Sequence, residues 1–347
     1  MKTVSVIWVK GLLQAASLQG VSEQAVLSSA GLPVESLSVV GDRISLSDTL
    51  LLWRAAESLS ADPLFGFNMG KYLQPTHFQL IAFTMLSSET LASAIDKILK
   101  YQRLISDGGA FSLVQKASEV QKTSELELPE ELEPSNISAL VYRPTVSNFS
   151  YHQIDAVMAV VASFMNWLLG RDDVVLEVHL QHDFQEGLNQ YNDFYKAPVL
   201  LNQSDNSLLF DSRLLKQRLP GFDANLASMH EQMANGQLKR LLDPSVVTLV
   251  QEQLIASGFE VNRDVIAKNM AMSGRSLQRK LQQEGSSFQQ LLDELRHQRS
   301  LLLLQDKHLS LADVAQQLGF SESSTFYRAF KRWQGVTPGE YRQEKHR

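Results

Sequence analysis

The sequence predicts an α+β domain over residues 1–240, followed by an all-α domain of seven helices over residues 244–347. Three observations indicate this division. A chain of 347 residues with 44% hydrophobic residues is long and apolar enough for about two domains. Helix-like and strand-like patterns alternate in the first part, whereas every pattern after Pro244 is helical. The net charge also changes sign near this point.

Charge is distributed unevenly along the chain, whose overall net charge is −6. From Val246 to Arg347 there are 14 Lys and Arg against 11 Asp and Glu, a net charge of +3. The preceding 245 residues have 18 against 27, a net charge of −9. The asymmetry indicates an acidic module joined to a mildly basic one. A charge of +3 is a weak argument for nucleic-acid binding, so the positions of the basic residues matter more.

Cysteine is absent from the chain. Its absence excludes disulfide scaffolding, thiolate metal sites and enzymes with a cysteine nucleophile. It also fits a reducing compartment, so we expect a cytoplasmic location. Lys10 interrupts the apolar N-terminal run, and no small-residue cleavage site follows, which argues against a signal peptide. No apolar stretch approaches the ~20 residues of a membrane span, so no membrane association is expected.

No pattern in the sequence predicts a cofactor or an enzyme site. We find neither a Gly-rich phosphate loop nor a nucleophile elbow. The eight histidines lack metal-ligand spacing, and we interpret His179 and His182 as structural or solvent-facing. We therefore expect no cofactor, no metal ion and no catalytic residues.

Elements of the first domain follow from residue periodicity and from capping residues. The expected helices include 45–60, with Ser47 or Asp48 near its N-cap, 88–104, and 150–169, which Gly170 ends. The expected strands are 111–116, 123–128, 174–180, 199–201 and 208–210. Segment 220–236 ends in a polar helix, and a linker is expected around 235–244.

Seven helices are expected in the second domain, because capping and terminating residues recur in step with the apolar pattern. The first four are 246–257, 262–270, 274–284 capped by Ser273, and a long helix through 304 capped by Ser286 or Ser287. The last three are 311–318 capped by Ser310, a helix through 334 capped by Ser321, and a short helix beginning at Pro338.

An imperfect internal repeat divides these helices into two similar halves. Each half has a small residue where a second helix must pack, then a tight turn, a buried apolar residue and an arginine. These are Ala267, Ala271, Leu277 and Arg279 in the first half, and Ala315, Gly319, Phe326 and Arg328 in the second. Glycine suits a turn with positive φ, so we expect slight strain at Ala271. Two short helices joined in this way form a helix-turn-helix unit, whose second helix enters the major groove of DNA.

Two strings of the second domain carry a resemblance to a known family. They are SGRSLQRKLQQEGSSFQQLLDELR and LADVAQQLGFSESSTFYRAFKRWQGVTPGEYR. Residues 246–343 resemble the C-terminal domain of AraC/XylS transcription regulators, with Ser300 departing from the usual alanine. The resemblance implies sequence-specific binding to double-stranded DNA. Because most relatives are activators that recruit RNA polymerase, it also implies that partner and an activating role.

The helix between the two units sets their separation. Residues 288–304 span about 17 residues, or about 25 Å at 1.5 Å per residue. This length suits two reading helices roughly one DNA turn apart, so one domain can read two successive major grooves.

Candidate DNA contacts follow from position in each unit, and the resemblance places contacts at the same positions. The expected base readers are Arg275, Gln278 and Arg279 in the first unit, and Ser323, Ser324, Thr325 and Arg328 in the second. The expected phosphate contacts are Lys280, Lys331 and Arg332. Alternatives remain for some of them: Arg328 as a structural ion-pair partner, and Lys331 and Arg332 as a solvated face.

The first domain also resembles a module found in some of these regulators, over residues of roughly 20–215. The pieces that carry the resemblance are ADPLFGF at 61–67, SETLASA at 88–94, YNDFY at 191–195, and Pro198 with Val199. The module is called the arabinose-binding-type N-terminal domain, although relatives of this type respond to varied small metabolites. Tyr142 with Arg143, or Tyr151 with His152, could line an effector pocket, since arginine often binds carboxylates.

The main hypothesis is a DNA-binding regulator controlled by a small-molecule effector in its N-terminal domain. The alternative is a constitutive regulator whose N-terminal domain serves only for homodimer formation. An enzyme that transfers alkyl groups from DNA is excluded, because that chemistry needs an acceptor cysteine. Another enzyme activity in the N-terminal domain has no supporting motif.

Overall fold

The computed structural model describes residues 2–33, 37, 43–115, 133, 136–306 and 309–345. The chain divides into two compact units, Met1–Leu241 and Leu242–Arg347. Within the described ranges, no helix combines the length and apolarity that crossing a membrane requires.

Unit one combines helices with two small sheets. Its helices are α1 (Val6–Leu18), α2 (Glu23–Ser29), α3 (Leu46–Ser60), α4 (Phe65–Tyr72), α5 (Gln79–Leu86), α6 (Leu91–Tyr101), α7 (Tyr151–Leu169), α8 (Leu188–Tyr195) and α9 (Ala224–Leu242). Its strands are β1 (Thr3–Ser5), β2 (Arg43–Ser45), β3 (Gly109–Gln115), β4 (Ile137–Pro144), β5 (Val175–His179), β6 (Val199–Leu200) and β7 (Asn206–Asp211).

The larger sheet has the strand order β3-β4-β7-β5-β6. All neighbours are antiparallel except β5 and β6, which are parallel. Successive residues of a strand point to opposite faces. Leu140 and Tyr142 of β4 join the main core, whereas Ala139 and Val141 belong to a small cluster on the other face. Strand β4 is therefore buried on both sides.

Helix α7 is the central element of the main core. Ser150 and Gln153 form a capping box at its start, and Gly170, with φ of +65°, follows its last residue. Most of its 19 residues are buried, including polar Asp155. The Asp155 carboxylate accepts a hydrogen bond from the Tyr191 hydroxyl at 2.6 Å and contacts His182 Nε2 at 2.9 Å. These partners satisfy polar atoms whose burial would otherwise be costly.

The predicted fold class is confirmed, with small differences at element ends. The helix predicted over 45–60 forms, but Ser45, rather than Ser47 or Asp48, caps it. The segment predicted as a helix over 88–104 contains α6, then a 3-10 turn at Gln102–Leu104. Four of the five predicted strands lie in the large sheet, and the one over 123–128 lies outside the described residues.

The linker predicted around 235–244 is wrong over most of its length, because α9 continues to Leu242. Glu231 of α9 forms ion pairs with Lys97 and Lys100 of α6, and Asn235 accepts a hydrogen bond from the Tyr101 hydroxyl at 2.9 Å. Gly236 therefore lies inside the helix, which continues for six more residues to Leu242.

Unit two contains the seven predicted helices. They are α10 (Val246–Ala256), α11 (Arg263–Asn269), α12 (Gly274–Gln283), α13 (Phe288–Leu303), α14 (Leu311–Gln317), α15 (Ser323–Gln334) and α16 (Pro338–Lys345). Ser273, Ser287 and Ser310 cap α12, α13 and α14 as expected. The cap predicted at Ser321 is wrong: the N-cap position of α15 is Glu322, which makes no side-chain capping bond.

His179 and His182 have separate structural partners in unit one. His179 Nε2 lies 2.5 Å from Glu177 Oε1, and both side chains are buried. His182 contacts Asp155, as described above. Across the described part of the chain, no cluster of three or more potential metal ligands is found.

Candidate DNA interface and effector cavity

Helices α11 and α12 form the first helix-turn-helix unit. Ile266 and Ala267 of α11 are buried, as are Leu277 and Leu281 of α12. Their apolar contact fixes the angle between the helices. The complete burial of Ala267 agrees with the small residue expected there, because a longer side chain would separate the helices.

Three expected base readers lie together on the outer face of α12. Arg275, Gln278 and Arg279 follow the i, i+3, i+4 spacing of one helix face. Arg275 and Arg279 are exposed and Gln278 is half-buried. Lys280 is exposed but lies about 140° around the helix from Arg275. A flanking position of this kind suits a contact to the phosphate backbone better than a contact to a base.

Helices α14 and α15 form the second helix-turn-helix unit around a core that they share with neighbouring helices. Buried residues of α14 and α15 pack with the end of α13 and with α16. The cluster includes Val314, Ala315, Leu318, Phe326, Phe330 and Tyr341. Trp333 is half-buried at the edge of this cluster. The core fixes which face of α15 points outward.

The outward face of α15 carries Ser324, Arg328 and Lys331, at the spacing i, i+4, i+7. Thr325 is exposed beside them, and its hydroxyl lies 3.5 Å from Arg328 Nη2. Ser323 is half-buried, because its position turns toward the core side of the helix. The structure therefore brings Lys331, expected only as a phosphate contact, onto the same face as the expected readers.

Most of the expected DNA-contacting cations form no ion pair with another described residue. Among the described residues, no carboxylate forms an ion pair with Arg275, Arg279, Lys280, Arg328 or Lys331. Arg332 differs, since its guanidinium lies 2.8 Å from Asp293 Oδ2 of α13. The side chain of Arg332 is still 64% exposed, so this ion pair holds α15 against α13 without hiding the charge.

The turns of the two units share a left-handed residue. Ala271 has φ of +54° and Gly319 has φ of +69°. The strain expected at Ala271 is thus present, because an L-residue with a Cβ atom is disfavoured in this conformation. A Cβ atom on Gly319 would also lie 2.8 Å from the Phe259 carbonyl oxygen, so the second turn needs glycine for space as well.

Arg296 of α13 connects the two halves and was missed by sequence reasoning. Its guanidinium donates hydrogen bonds to the carbonyl oxygens of Leu318 and Gly319 at 2.8 Å each, and to that of Phe259 at 3.2 Å. It also lies 4.3 Å from the centre of the Phe320 ring. Burial lowers the pKa of Arg296, an effect partly opposed by the charge of Asp293. In the sequence, the one signal for Arg296 was its position next to Leu295, in the apolar stripe of the predicted long helix.

A cavity in unit one is bounded by both helices and strands. Its walls come from α1, α5, α6, β3, β4 and α7, and it encloses about 810 Å³ of atom-free space, including the part open to solvent. One wall is a helical stripe of α7 made of Gln153, Val157, Val160, Val161 and Phe164. Aromatic side chains form much of the remainder: Trp8, Phe78, Phe111, Tyr142 and Phe149. Cavities of this kind are typical small-molecule sites.

The structure separates the residues suggested for an effector pocket. Tyr142 lines the cavity and is almost fully buried, which raises the pKa of its hydroxyl far above the usual value. Arg143 is exposed, and its guanidinium lies 3.2 Å from the Ser112 hydroxyl. Tyr151 and His152 are not among the lining residues. His152 Nδ1 instead accepts a hydrogen bond from the Gly66 backbone at 3.3 Å.

Comparisons with known proteins identify both units. Residues 20–219 match a family described as the arabinose-binding domain of AraC transcription regulators, and residues 266–344 match a helix-turn-helix domain. The chain is 28% identical to the ornithine utilization regulator of Pseudomonas aeruginosa, over 98% of this chain and 96% of that protein. It is 23% identical to the HTH-type transcriptional regulator VqsM of the same organism, over 87% and 90%.

A solved structure is also similar to this chain over most of its length. The crystal structure of the transcriptional regulator CdpR from Pseudomonas aeruginosa covers 97% of this chain and 98% of its own, with 16% identity and a TM-score of 0.47. The matched domains and relatives are those of DNA-binding regulators and not of enzymes. Because the first family match spans more than half of the sequence, the chain belongs to the AraC family of transcription regulators, with an arabinose-binding-type N-terminal domain and a C-terminal helix-turn-helix domain.

Proposed function

We propose that this regulator activates transcription in response to a small molecule bound in the cavity of its N-terminal domain. In this proposal residues 1–240 sense the effector, and residues 244–347 read two successive major grooves. The cavity carries the sensing part of the proposal, because a domain that served only for dimer formation would not need it. The two exposed reading faces on one compact domain support the reading part.

The proposed contacts divide by position on the reading helices. Arg275, Gln278 and Arg279 read bases from α12, and Ser324, Thr325 and Arg328 read bases from α15. Ser323 contributes from the first turn of α15, although it is half-buried. Lys280, Lys331 and Arg332 contact phosphates, and Arg332 does so while paired with Asp293. The exposed cations support this division, since among the described residues no carboxylate forms an ion pair with Arg275, Arg279 or Arg328.

An activating role, with RNA polymerase as a partner, follows from the behaviour of most family members. It also fits action in the cytoplasm, where DNA and polymerase are found. Homodimer formation through the N-terminal domain is compatible with effector control. The alternative, a constitutive regulator with an N-terminal domain that only dimerises, is less well supported because of the cavity.

Selection of bound DNA from a random library by the full-length protein, at two salt concentrations, tests the reading part. We expect a motif with two half-elements about one helical turn apart. Arg275→Ala should then change base preference in one half-element, and Arg328→Ala in the other. Arg263→Ala is the matched control, because Arg263 is exposed at the start of α11 and pairs with its neighbour Asp264. Binding without a motif that collapses as salt rises would contradict specific reading.

Transcription in vitro from the selected site tests effector control. The matched family is named for arabinose and one relative for ornithine utilization, so L-arabinose and L-ornithine are the first compounds to add. We expect a true effector to raise transcription with wild-type protein and to bind the N-terminal domain. Equal transcription with and without every compound that binds the protein would support the constitutive alternative.

A further inference from the structure

We propose that the cavity of unit one binds an uncharged carbonyl compound with an apolar body, whose oxygen accepts hydrogen bonds from Gln153 and Tyr142. This inference rests on the proposed function, because it names the chemical class of the effector. The proposed ligand is neither a sugar nor a charged amino acid, although the matched family is named for arabinose.

The walls of the cavity exclude charge. None of the lining residues is Asp, Glu, Lys, Arg or His. A charged ligand would lose its hydration without gaining an ion-pair partner, and that loss is large in an apolar site. A sugar would bring several hydroxyl groups into a site with few partners for them, and each unpaired hydroxyl weakens binding. An apolar body, in contrast, gains from contact with the aromatic and branched side chains.

Two of the four amide and hydroxyl side chains in the walls already have hydrogen-bond partners in the protein, although Ser106 uses only its oxygen as an acceptor. Gln102 accepts a hydrogen bond from the Phe111 backbone nitrogen at 2.6 Å and donates to the Leu99 carbonyl oxygen at 2.9 Å. The Ser106 hydroxyl accepts from the Gly108 backbone nitrogen at 2.9 Å. These groups shape the loop between α6 and β3.

The other two polar side chains retain unused donors. Gln153 is 3% exposed, and its Oε1 atom accepts from the Ser150 backbone nitrogen, whereas its Nε2 atom has no partner among the described residues. The Tyr142 hydroxyl also has no partner in the described part of the chain. The Tyr142 hydroxyl lies where a side chain at position 109 would be, since a Cβ atom on Gly109 would be 2.0 Å from the hydroxyl oxygen. Neither donor atom is among the fully buried atoms that lack a partner, so each stays accessible from the cavity and can donate to a ligand acceptor.

The ligand group that fits these donors is an acceptor without charge. A ketone, amide or ester oxygen accepts hydrogen bonds from Gln153 Nε2 and from the Tyr142 hydroxyl without needing a proton of its own. A carboxylate would also accept them, but its full charge would have no cation in the walls. The two donors and the absence of charged side chains in the walls together favour an uncharged carbonyl oxygen.

Fluorescence titration of the full-length protein with Prodan, an uncharged naphthyl ketone, measures this binding directly. Prodan emission shifts to shorter wavelength in an apolar site, so we expect a saturable blue shift with one site per chain. Octanamide and octanoate then serve as competitors of matched length that differ in charge. Octanamide should displace Prodan at a concentration about tenfold or more below octanoate, and L-arabinose should not displace it. Equal displacement by octanamide and octanoate, or displacement by L-arabinose, would overturn the proposal.

Two variants test the donors without removing protein contacts. Tyr142→Phe removes a hydroxyl that has no partner among the described residues, and Gln153→Glu keeps the oxygen that accepts from Ser150 and lacks a donor where the new carboxyl is ionised. Each should weaken Prodan binding by about three- to tenfold, the range expected for one hydrogen bond. Tyr72→Phe is the matched control, because Tyr72 is 57% exposed and outside the cavity lining. Unchanged Prodan affinity in both cavity variants, with unchanged thermal unfolding, would refute the assigned donors.

The outcomes separate this inference from the proposed function. Selective binding of uncharged carbonyl compounds, without any effect on transcription, would confirm the chemistry of the cavity and contradict effector control. Transcription controlled by a charged or sugar effector would confirm effector control and refute the inference.

Discussion

Replacing Arg296 with methionine tests whether one side chain fixes the two helix-turn-helix units relative to each other. Arg296→Met retains an unbranched apolar stem over Phe320 but removes all donors. It leaves three carbonyl oxygens without their partner, those of Phe259, Leu318 and Gly319. Hydrogen bonds to charged groups contribute about 1.5–3 kcal/mol each, and water can replace part of them at this half-buried site. We expect the free energy of unfolding of unit two to fall by about 2–4 kcal/mol.

The effect on DNA binding should be specific to spacing. Phe259 precedes the first unit, and Leu318 with Gly319 form the turn of the second, so Arg296 holds segments from both halves. The wild-type protein should discriminate against sites in which one half-element is moved by a single base pair. Arg296→Met should lose a large part of that discrimination, because flexible units adapt to either spacing.

Binding of the protein to a set of sites with altered spacing measures this effect, alongside chemical unfolding. Arg296→Lys should fall between wild type and methionine, since lysine keeps the charge but cannot form the planar fork of bonds. Arg263→Met is the control variant, because Arg263 is exposed and pairs only with the adjacent Asp264 among the described residues. If Arg296→Met weakened binding to all spacings by the same factor, the proposed role in spacing would be wrong.

Three further predictions concern the same domain. Ala271→Gly should raise the free energy of unfolding by about 0.5–1 kcal/mol, measured by chemical denaturation, because relief of the left-handed strain exceeds the added entropy of the unfolded chain; a destabilised variant would contradict this. Arg328→Ala should cost about 1–3 kcal/mol of binding free energy and relax one base preference in competition binding assays, whereas a uniform loss with a shallower salt slope would identify a phosphate contact. Asp293→Asn should leave the affinity for DNA unchanged or slightly raised at low salt, because it frees Arg332, and a marked loss would show that the ion pair is needed for position.

The second domain could be predicted closely from sequence because its signals are local. Ser273, Ser287 and Ser310 mark helix starts that the structure confirms, and Gly319 marks a turn that requires positive φ. Each of these signals depends on a few neighbouring residues. The cap predicted at Ser321 failed because the helix begins one residue later than the pattern suggested.

The first domain was less predictable because its decisive contacts are distant in sequence. Strand β4 is buried on both faces, so its run of apolar residues lacks the alternation that identifies a half-buried strand. The cavity brings Trp8 of α1 together with Tyr142 of β4 and Phe164 of α7. No local sequence pattern predicts that these three residues line the same cavity. Arg143 does not line this cavity for a related reason, since adjacent residues of a strand face opposite sides.

The contacts between the two halves of the reading domain limit how an effector can act. Arg296 joins both halves, the Arg332–Asp293 ion pair holds α15 to α13, and α13 continues without interruption between the units. A change in the distance between the reading helices would have to break these contacts. A ligand can shift the equilibrium between the two arrangements of the helices only as far as it binds one arrangement more tightly than the other. A small apolar ligand with one polar group has little free energy available for that rearrangement. We therefore expect effector binding to change how often the intact reading domain engages DNA or polymerase, and to leave the spacing of the selected half-elements the same with and without effector.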